Sequence, residues 1–311
     1  MIERKKIVYV TPAIIACAIP FLTQSPYVIK VLTIMLIFIM YSSAWNLLAY
    51  SGQASLGHAA FFGLGGYASA LISKSLALSP IVAVFLGGIA SAILGLAVGV
   101  ICLRLREWFL AMVTFGIPLI VQTLTVTSFA KLTGGWDGIP ATRLMPPSYT
   151  SFITEYYIIL AFTIATILAI NKIMKSKIGY ALSAIRQNEL EAKMLGIDVT
   201  RYKLIAFIVS TYIAGVAGAL EIHHIGYITP EIYGLDISFW PIIYSISGGL
   251  GTLSGPIVGT VIITILWEFL KFFGLTFERY ILIGGMLILV VIFLPKGLVS
   301  LRSFLTRERT P

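Results

Sequence analysis

Residues 45–67 read WNLLAYSGQASLGHAAFFGLGGY and set the fold of the segments around them. Small and polar residues stand here where a plain membrane helix would carry leucine. In hydrocarbon, small residues let helices approach closely, whereas Ser51, Gln53, Ser55 and His58 are tolerated mainly where they face protein or a water-filled cavity. The stretch therefore predicts either a helix broken at a transport pathway or close helix packing without a transport role. Gln53 and His58 favour the pathway, and three glycines favour packing: Gly63, Gly65 and Gly66.

The rest of the chain is equally apolar. Its 311 residues are 58% hydrophobic and 11% charged, with a mean hydropathy of +0.96, whereas a soluble domain has about 25% charged residues. At about 20 residues for each membrane helix, this length holds roughly eight to ten spans and leaves no room for a soluble catalytic domain. We predict an all-α polytopic membrane protein of about ten transmembrane helices, some broken or short. Residues 1–311 form a single domain.

The apolar runs set the expected spans. The first run follows a basic start and ends near residue 22; we interpret it as an uncleaved span rather than a secretory signal, since everything downstream is also membrane. The other runs are at 28–50, 54–73, 81–103, 108–130, 153–171, 204–226, 237–247, 256–273 and 280–294.

The basic residues predict the orientation. Most of the 22 Lys and Arg residues fall at the N-terminus, in the loop after residue 103, in residues 172–203 and after residue 295. Alternate loops lie on one face of the membrane, so these segments share the cytoplasmic side and both termini are cytoplasmic. The net charge of +9 is thereby assigned to this face, and no nucleic-acid partner is expected.

Residues 173–203 form the longest polar stretch, a predicted cytoplasmic loop. Asn188 and Glu191 fit a capping box, and Gly196 is a helix stop, which predicts a short helix from Glu189 to Leu195. Leu190 and Met194 share one face of that helix with Leu195 beside them, while Glu189 and Lys193 can pair on a neighbouring face. Such an apolar face fits either a groove in a partner protein or the headgroup layer of the membrane.

A second glycine-rich segment reads SGGLGTLSGP at residues 247–256. Like the first, it lies between two apolar runs. Interrupted hydrophobic segments at matching places in two halves of a chain point to a transport site. The two segments therefore suggest two related halves, although the similarity is short and dominated by glycine.

Acidic and histidine side chains within the apolar runs are few. Glu221 is a candidate pathway residue because a charge in the bilayer is costly, but it lies near the end of its span, where water can reach it. The chain has no phosphate-loop motif and no familiar metal or serine hydrolase motif. Adjacent His223 and His224 point about 100° apart on a helix, so they cannot ligate one ion together. No catalytic or metal site is predicted, and an intramembrane enzyme would need Glu221 and this pair.

Residues 45–67 closely resemble the hallmark stretch of the LivM-type permeases, the membrane subunits of branched-chain amino-acid ABC importers. Further blocks are similar to that family in the same order, over roughly residues 40 to 297. They are RLREWFLAMVTFG at 104–116, TGGWDGI at 133–139, IGYALSAIRQNE at 178–189 with AKMLGIDVTRYKL at 192–204, AGVAGAL at 214–220 and GGLGTLSGP at 248–256.

The resemblance implies a permease subunit in the cell membrane that pairs with a second related permease, two ABC ATPase subunits and an extracytoplasmic substrate-binding protein. ATP is then hydrolysed by the partners, and this chain binds no cofactor itself. The helix capped by Asn188 becomes the coupling helix, which inserts Leu190, Met194 or Leu195 into an ATPase groove. Glu191, Ala192 and Gly196 are similar to the spacing of importer coupling loops.

The implied substrates are leucine, isoleucine and valine. Glu221 departs from the uncharged or aromatic residue that the family more often has there, and related permeases for urea or short amides share most of these blocks. Those substrates stay open, as do two other classes of protein: the intramembrane enzyme, and a stand-alone channel or proton-coupled carrier.

Overall fold

The computed structural model describes residues 16–20, 25–102, 107–146, 149–275, 277–294 and 297–300. Both termini lie outside these residues, and so does most of the first predicted span. The prediction that the termini are cytoplasmic therefore remains untested.

The described residues are mainly helical, and we number the main helices α1 to α12. Their bounds are α1 Pro26–Tyr50, α2 His58–Ser75, α3 Pro80–Cys102, α4 Glu107–Val126, α5 Ala130–Thr133, α6 Tyr149–Met174, α7 Lys177–Gln187, α8 Glu189–Met194, α9 Val199–Ile225, α10 Leu235–Gly248, α11 Gly255–Phe272 and α12 Glu278–Phe293. Short 3₁₀ turns occupy Gly135–Asp137, Pro230–Tyr233 and Leu298–Ser300. Two short strands, β1 Ile139–Pro140 and β2 Tyr227–Ile228, pair antiparallel.

Six of these helices are long and apolar enough to cross a membrane, namely α1, α3, α4, α6, α9 and α11. Helices α2, α10 and α12, with 18, 14 and 16 residues, are not among these six and pack with them. The protein is therefore a multi-pass helical bundle, as predicted. The expected number of about ten spans remains a prediction.

The core of the bundle is the packing of α9 against α1, α2 and α3. Small residues bring these backbones together: a Cβ added at Gly218 of α9 would lie 1.9 Å from the carbonyl oxygen of Phe62, and one added at Gly65 would lie 2.3 Å from that of Gly215. Membrane proteins use glycine for close contacts of this kind between helices. The packing role predicted for Gly65 is thus confirmed.

The two ends of the bundle differ in character. One end carries α7 and α8, and we call it the polar end; the other carries β1 and β2, and we call it the strand end. Helices α2 and α9 run in the same direction between these ends, because His58 meets Ser210 while Ser69, further along, meets His223. Since α9 starts at the polar end, the N-terminus of α2 faces the polar end.

Helix α10 begins part-way into the bundle. The turn Pro230–Tyr233 enters from the strand end, and a Cβ added at Gly63 would lie 2.5 Å from the Tyr233 ring. The hydroxyl of Ser238 then accepts a 3.3 Å hydrogen bond from the backbone N–H of Ala59, at the start of α2. Helices α2 and α10 therefore both begin inside the bundle, the first directed towards the strand end and the second towards the polar end.

We predict that Gly218→Val lowers the thermal unfolding midpoint of the detergent-solubilised protein strongly. The new side chain would collide with backbone rather than with a flexible side chain, and overpacking of this kind costs about 1–3 kcal/mol or more. Gly116→Ala is the matched control, because a Cβ at Gly116 meets nothing within 4 Å. Equal midpoints for the two variants would contradict the packing argument.

Candidate functional site

The first glycine-rich segment interrupts the helical path, which was one of the two alternatives left open by its sequence. Helix α1 ends at Tyr50 and α2 begins at His58, so residues 51–57 form an irregular link that lies within the bundle. Side chains bind its backbone: the indole N–H of Trp45 donates to the carbonyl of Ser55 at 2.7 Å, and the N–H of Leu56 donates to the hydroxyl of Thr114 at 3.1 Å. We call residues 51–57 the first interruption.

Ser51 and Ser55 of this segment are fully buried and have partners. The Ser51 hydroxyl donates to the carbonyl of Leu48 at 2.6 Å, and the Ser55 hydroxyl accepts from the N–H of Gly57 at 3.3 Å. Both hydroxyls therefore stabilise the local turn.

Gln53 differs from these serines. Only 1% of the residue is exposed, yet neither its amide nitrogen nor its amide oxygen has a hydrogen-bond partner among the described residues. Burying an unpaired amide costs about 1–3 kcal/mol. A binding or conformational role would account for such a group better than a packing role.

His58 is held by a short chain of hydrogen bonds. The Ser210 hydroxyl of α9 donates to the carbonyl of Ala44 at 2.6 Å and lies 2.9 Å from Nε2 of His58. Since that hydroxyl has one proton and gives it to Ala44, Nε2 of His58 carries the proton and donates to Ser210. Nδ1 is then a buried acceptor without a partner among the described residues.

The second glycine-rich segment also interrupts the helices. Helix α10 ends at Gly248 and α11 begins at Gly255, and we call residues 249–254 the second interruption. The amide of Asn46 holds this loop with two hydrogen bonds, from Nδ2 to the carbonyl of Thr252 at 2.7 Å and from the N–H of Gly251 to Oδ1 at 2.8 Å. Both interruptions therefore meet the last turns of α1, near the polar end.

Sequence reasoning missed Asn46. An asparagine just before a glycine-rich break in an otherwise apolar helix is the signal that could have identified it, because a buried amide needs a donor and an acceptor nearby.

Glu221 does not join the other predicted pathway residues. It lies on α9 about 16 Å beyond Ser210, since a helix rises 1.5 Å per residue. The residue is half-buried, and among the described residues no hydrogen bond or ion pair reaches its carboxylate. The predicted pathway residues thus fall at two levels of the bundle, with Glu221 towards the strand end.

The two histidines after Glu221 fasten the strand end. Nδ1 of His223 donates to the carbonyl of Thr142 at 2.5 Å, and Nε2 of His223 accepts from Ser69 at 2.7 Å. Nδ1 of His224 lies 3.2 Å from the carboxylate of Glu155 on α6. The two rings point to different partners, so the pair serves to hold elements together. No group of three His, Cys, Asp or Glu residues in the described part of the chain could hold a metal ion.

The predicted short helix is present as α8, Glu189–Met194, one residue shorter than expected because Leu195 is its C-cap. The side chain of Asn188 accepts from the N–H groups of Leu190 and Glu191 at 3.0 and 3.3 Å and donates to the Glu191 carboxylate at 2.6 Å. Asn188 is therefore confirmed as the N-cap, whereas the Glu191 carboxylate binds the Asn188 side chain and not its backbone N–H, which donates to the carbonyl of Ala184. Gly196 follows with φ +81°, a backbone conformation that favours glycine.

The apolar face of α8 is uncovered. Leu190, Met194 and Leu195 are 68%, 81% and 79% exposed. Ala192, on the opposite side, is buried against Ile185 of α7 and Val199 of α9. Helix α8 is thus fixed to the bundle by one face and presents three large apolar side chains on another.

Two lysines brace α8 through Glu189. The carboxylate accepts a hydrogen bond from Lys203 at 2.7 Å and pairs with Lys193 at 3.1 Å, as predicted for Lys193. Partial burial opposes ionisation, but the hydrogen bonds from Lys203 and Lys193 outweigh it and lower the pKa of Glu189. The ion pairs are therefore formed above the ordinary pKa of a glutamate and are lost only as the pH falls through this lowered value.

Only one of the two helices in the polar loop, α8, was predicted from the sequence. The polar loop between α6 and α9 contains α7, Lys177–Gln187, in addition to α8. The Ser176 hydroxyl caps α7 by accepting from the N–H of Ile178 at 3.2 Å. A serine at this place is a sequence signal for the helix start that was not used.

Comparison with known proteins gives one family over most of the chain. Residues 27–291 match the family described as branched-chain amino acid transport system / permease component. The high-affinity branched-chain amino acid transport system permease protein LivM of Salmonella typhimurium is 27% identical, over 96% of this chain and 76% of that protein.

More distant similarities extend to other permeases. The probable branched-chain amino acid transport permease protein LivM of Methanocaldococcus jannaschii is 26% identical over 79% of each chain. The ribose import permease protein RbsC of Bacillus subtilis is 29% identical over 58% of this chain and 59% of that protein. No solved structure matches the chain.

We predict that Gln53→Met raises the thermal unfolding midpoint, because it replaces an unpaired buried amide, worth about 1–3 kcal/mol, with an apolar side chain of similar length. Asn46→Leu is the matched comparison. It leaves the N–H of Gly251 and the carbonyl of Thr252 without their partner and is expected to lower the midpoint. A lower midpoint for Gln53→Met would contradict the argument and indicate that the amide is stabilised where it lies.

Proposed function

Since the chain belongs to the branched-chain amino acid transport system permease component family, we propose that it is the membrane subunit of an ATP-driven importer for leucine, isoleucine and valine in the cell membrane. The match over residues 27–291 and the names of its LivM relatives support this substrate class. A multi-pass bundle whose described residues include six helices of membrane-spanning length and composition suits such a subunit.

The partners we propose are a second related permease, two ABC ATPase subunits and an extracytoplasmic substrate-binding protein. The sequence contains no phosphate-loop motif, so the energy of ATP hydrolysis has to arrive from another chain. Similarity to LivH of Escherichia coli, also a permease protein of a branched-chain amino acid system, at 26% identity over 48% of this chain, supports pairing with a related permease.

The observation that carries the proposal is the exposed apolar face of α8 at the polar end. Three large apolar side chains in a short, capped and braced helix are costly in water, and their burial in a groove of an ATPase subunit would remove that cost. We assign α8 as the coupling helix: Asn188, Glu191 and Gly196 shape it, Ala192 anchors it, and the residues that enter the ATPase groove are Leu190, Met194 and Leu195.

The transport path follows, on this proposal, the polar residues of the bundle interior. Gln53 lies in the first interruption with Ser51 and Ser55, and His58 follows it. Gln53 and His58 each carry a buried polar atom without a partner among the described residues. Glu221 lies nearer the strand end. Alternating access would open the path first to one end of the bundle and then to the other.

The direct test is uptake by the complete complex reconstituted in liposomes. We expect ATP-dependent accumulation of labelled leucine, isoleucine and valine only when both permeases, the ATPases and the binding protein are present. Accumulation of urea or a short amide in place of these amino acids would overturn the substrate class. Uptake that persists without the ATPases would overturn the assignment to an ATP-driven importer.

We predict that Leu190→Asp combined with Met194→Asp releases the ATPase subunits from the membrane complex. Each buried apolar side chain of this size is worth about 1.5–3 kcal/mol, so the loss of two should lower the affinity by at least about a hundredfold. The measurement is the amount of ATPase that co-purifies with the permease pair.

Leu76→Asp provides the matched control. Leu76 is also an exposed leucine, but it follows α2 at the strand end, far from α8 along the bundle. This variant should retain the ATPase. Equal retention by the double variant would mean that the apolar face of α8 is not the docking surface.

A further inference from the structure

Arg186 of α7 lies beside both helix interruptions. Its Cα lies 3.6 Å, and its Cβ and Cγ lie 4.0 Å, from the position that a Cβ would take on Gly52 of the first interruption. A Cβ on Gly251 of the second interruption would lie 1.9 Å from the Nη1 atom of its guanidinium. The backbone and aliphatic stem of Arg186 thus lie about one methyl group away from Gly52 of the first interruption, while its guanidinium reaches Gly251 of the second.

Both loops have a glycine next to Arg186, at a backbone conformation that favours glycine. Gly52 and Gly251 have φ values of +81° and +74°, so each loop turns in a way that side chains rarely allow. The missing side chain at Gly251 also leaves the space that the guanidinium occupies. The guanidinium of Arg186 therefore occupies the place that a side chain at Gly251 would take.

The base of Arg186 is attached to α8. Ile185, the preceding residue, is buried in a cluster with Ala192 of α8 and Val199 at the start of α9. Asn188, the N-cap of α8, is also the C-cap of α7. The last turn of α7 and the whole of α8 are therefore packed as one corner, and a displacement of α8 displaces the backbone of Arg186.

The two interruptions are in turn attached to α1. Asn46 binds Gly251 and Thr252 directly, and the first interruption continues from the same helix, α1. Arg186 therefore lies between a corner that carries the exposed face of α8 and two loops from which α2 and α11 start.

We propose that Arg186 is a positioning residue that transmits movement of α8 to both helix interruptions. This inference rests on the proposed role of α8 as the ATPase contact. In this role Arg186 touches neither substrate nor ATPase. Its stem lies beside the first interruption and its guanidinium lies against the second. When the guanidinium is lost, ATP hydrolysis no longer moves the transport path.

The test uses the reconstituted complex and measures substrate transported per ATP hydrolysed. Arg186→Met keeps an aliphatic stem for Gly52 and removes the guanidinium beside Gly251. We expect the ATPase to co-purify as before and the transport-to-hydrolysis ratio to fall by about tenfold, within the usual range of coupling between sites. Arg201→Met is the matched control, an exposed arginine in the first turn of α9, and should keep the wild-type ratio.

A second variant examines the contact from the other side. Gly251→Ala places a methyl group against Nη1 and should also lower the ratio, and part of that loss should disappear when it is combined with Arg186→Met, because residues in contact give non-additive effects.

An unchanged ratio in Arg186→Met would overturn the inference, and so would loss of the bound ATPase, which would make Arg186 a docking residue. Failure of the proposed function gives a different result: the wild-type complex itself would not transport or would not bind the ATPase.

Discussion

The structure depends on one constraint, that backbone N–H and C=O groups inside a bilayer need partners within the protein. Unbroken helices meet this need by themselves, but among the described residues the chain leaves the α-helical path inside the bundle at residues 51–57, at residues 249–254 and before α10. Side chains supply part of what is missing: Trp45 and Thr114 bind the first interruption, and Asn46 binds the second. These partners come from α1 and α4, so the irregular loops are also what ties separate helices together.

The sequence predicted the elements whose signals are local. The N-cap at Asn188 depends on neighbours three residues apart, and glycine and serine in apolar runs mark the interruptions wherever the helices pack. It could not predict which loops would meet, since the hydrogen bonds of Asn46 join residues more than 200 positions apart. Helix α7 was missed although Ser176 marks its start, because its apolar residues are spread through a polar stretch whose charges suggested a loop.

The histidines show how a residue type can mislead when it is considered without its surroundings. Next to an acid in a membrane segment, His223 and His224 suggest chemistry. In the fold, His223 joins α9 to α2 and to the loop after β1, and His224 lies against Glu155 of α6. Both polar atoms of His223 are used for attachment, whereas Nδ1 of His224 makes no hydrogen bond among the described residues. Gln53 is the opposite case, because its surroundings are fully buried and its amide is not used at all among the described residues.

The bundle has two kinds of helix contact, which differ in how easily the helices can move past each other. Between α2, α3 and α9, glycine backbones touch so closely that sliding would bring atoms into collision, and packed interiors resist such changes. The contacts of α1 with α10 and α11 combine apolar packing, as between Phe38 and Tyr244, with hydrogen bonds, as between Ser42 and Thr260. Asn46 of α1 also binds Gly251 of the second interruption. Hydrogen bonds of this kind can exchange partners at modest net cost. Arg186 contacts the bundle at this second kind of boundary, where a displacement from α7 meets exchangeable bonds rather than interlocked backbone.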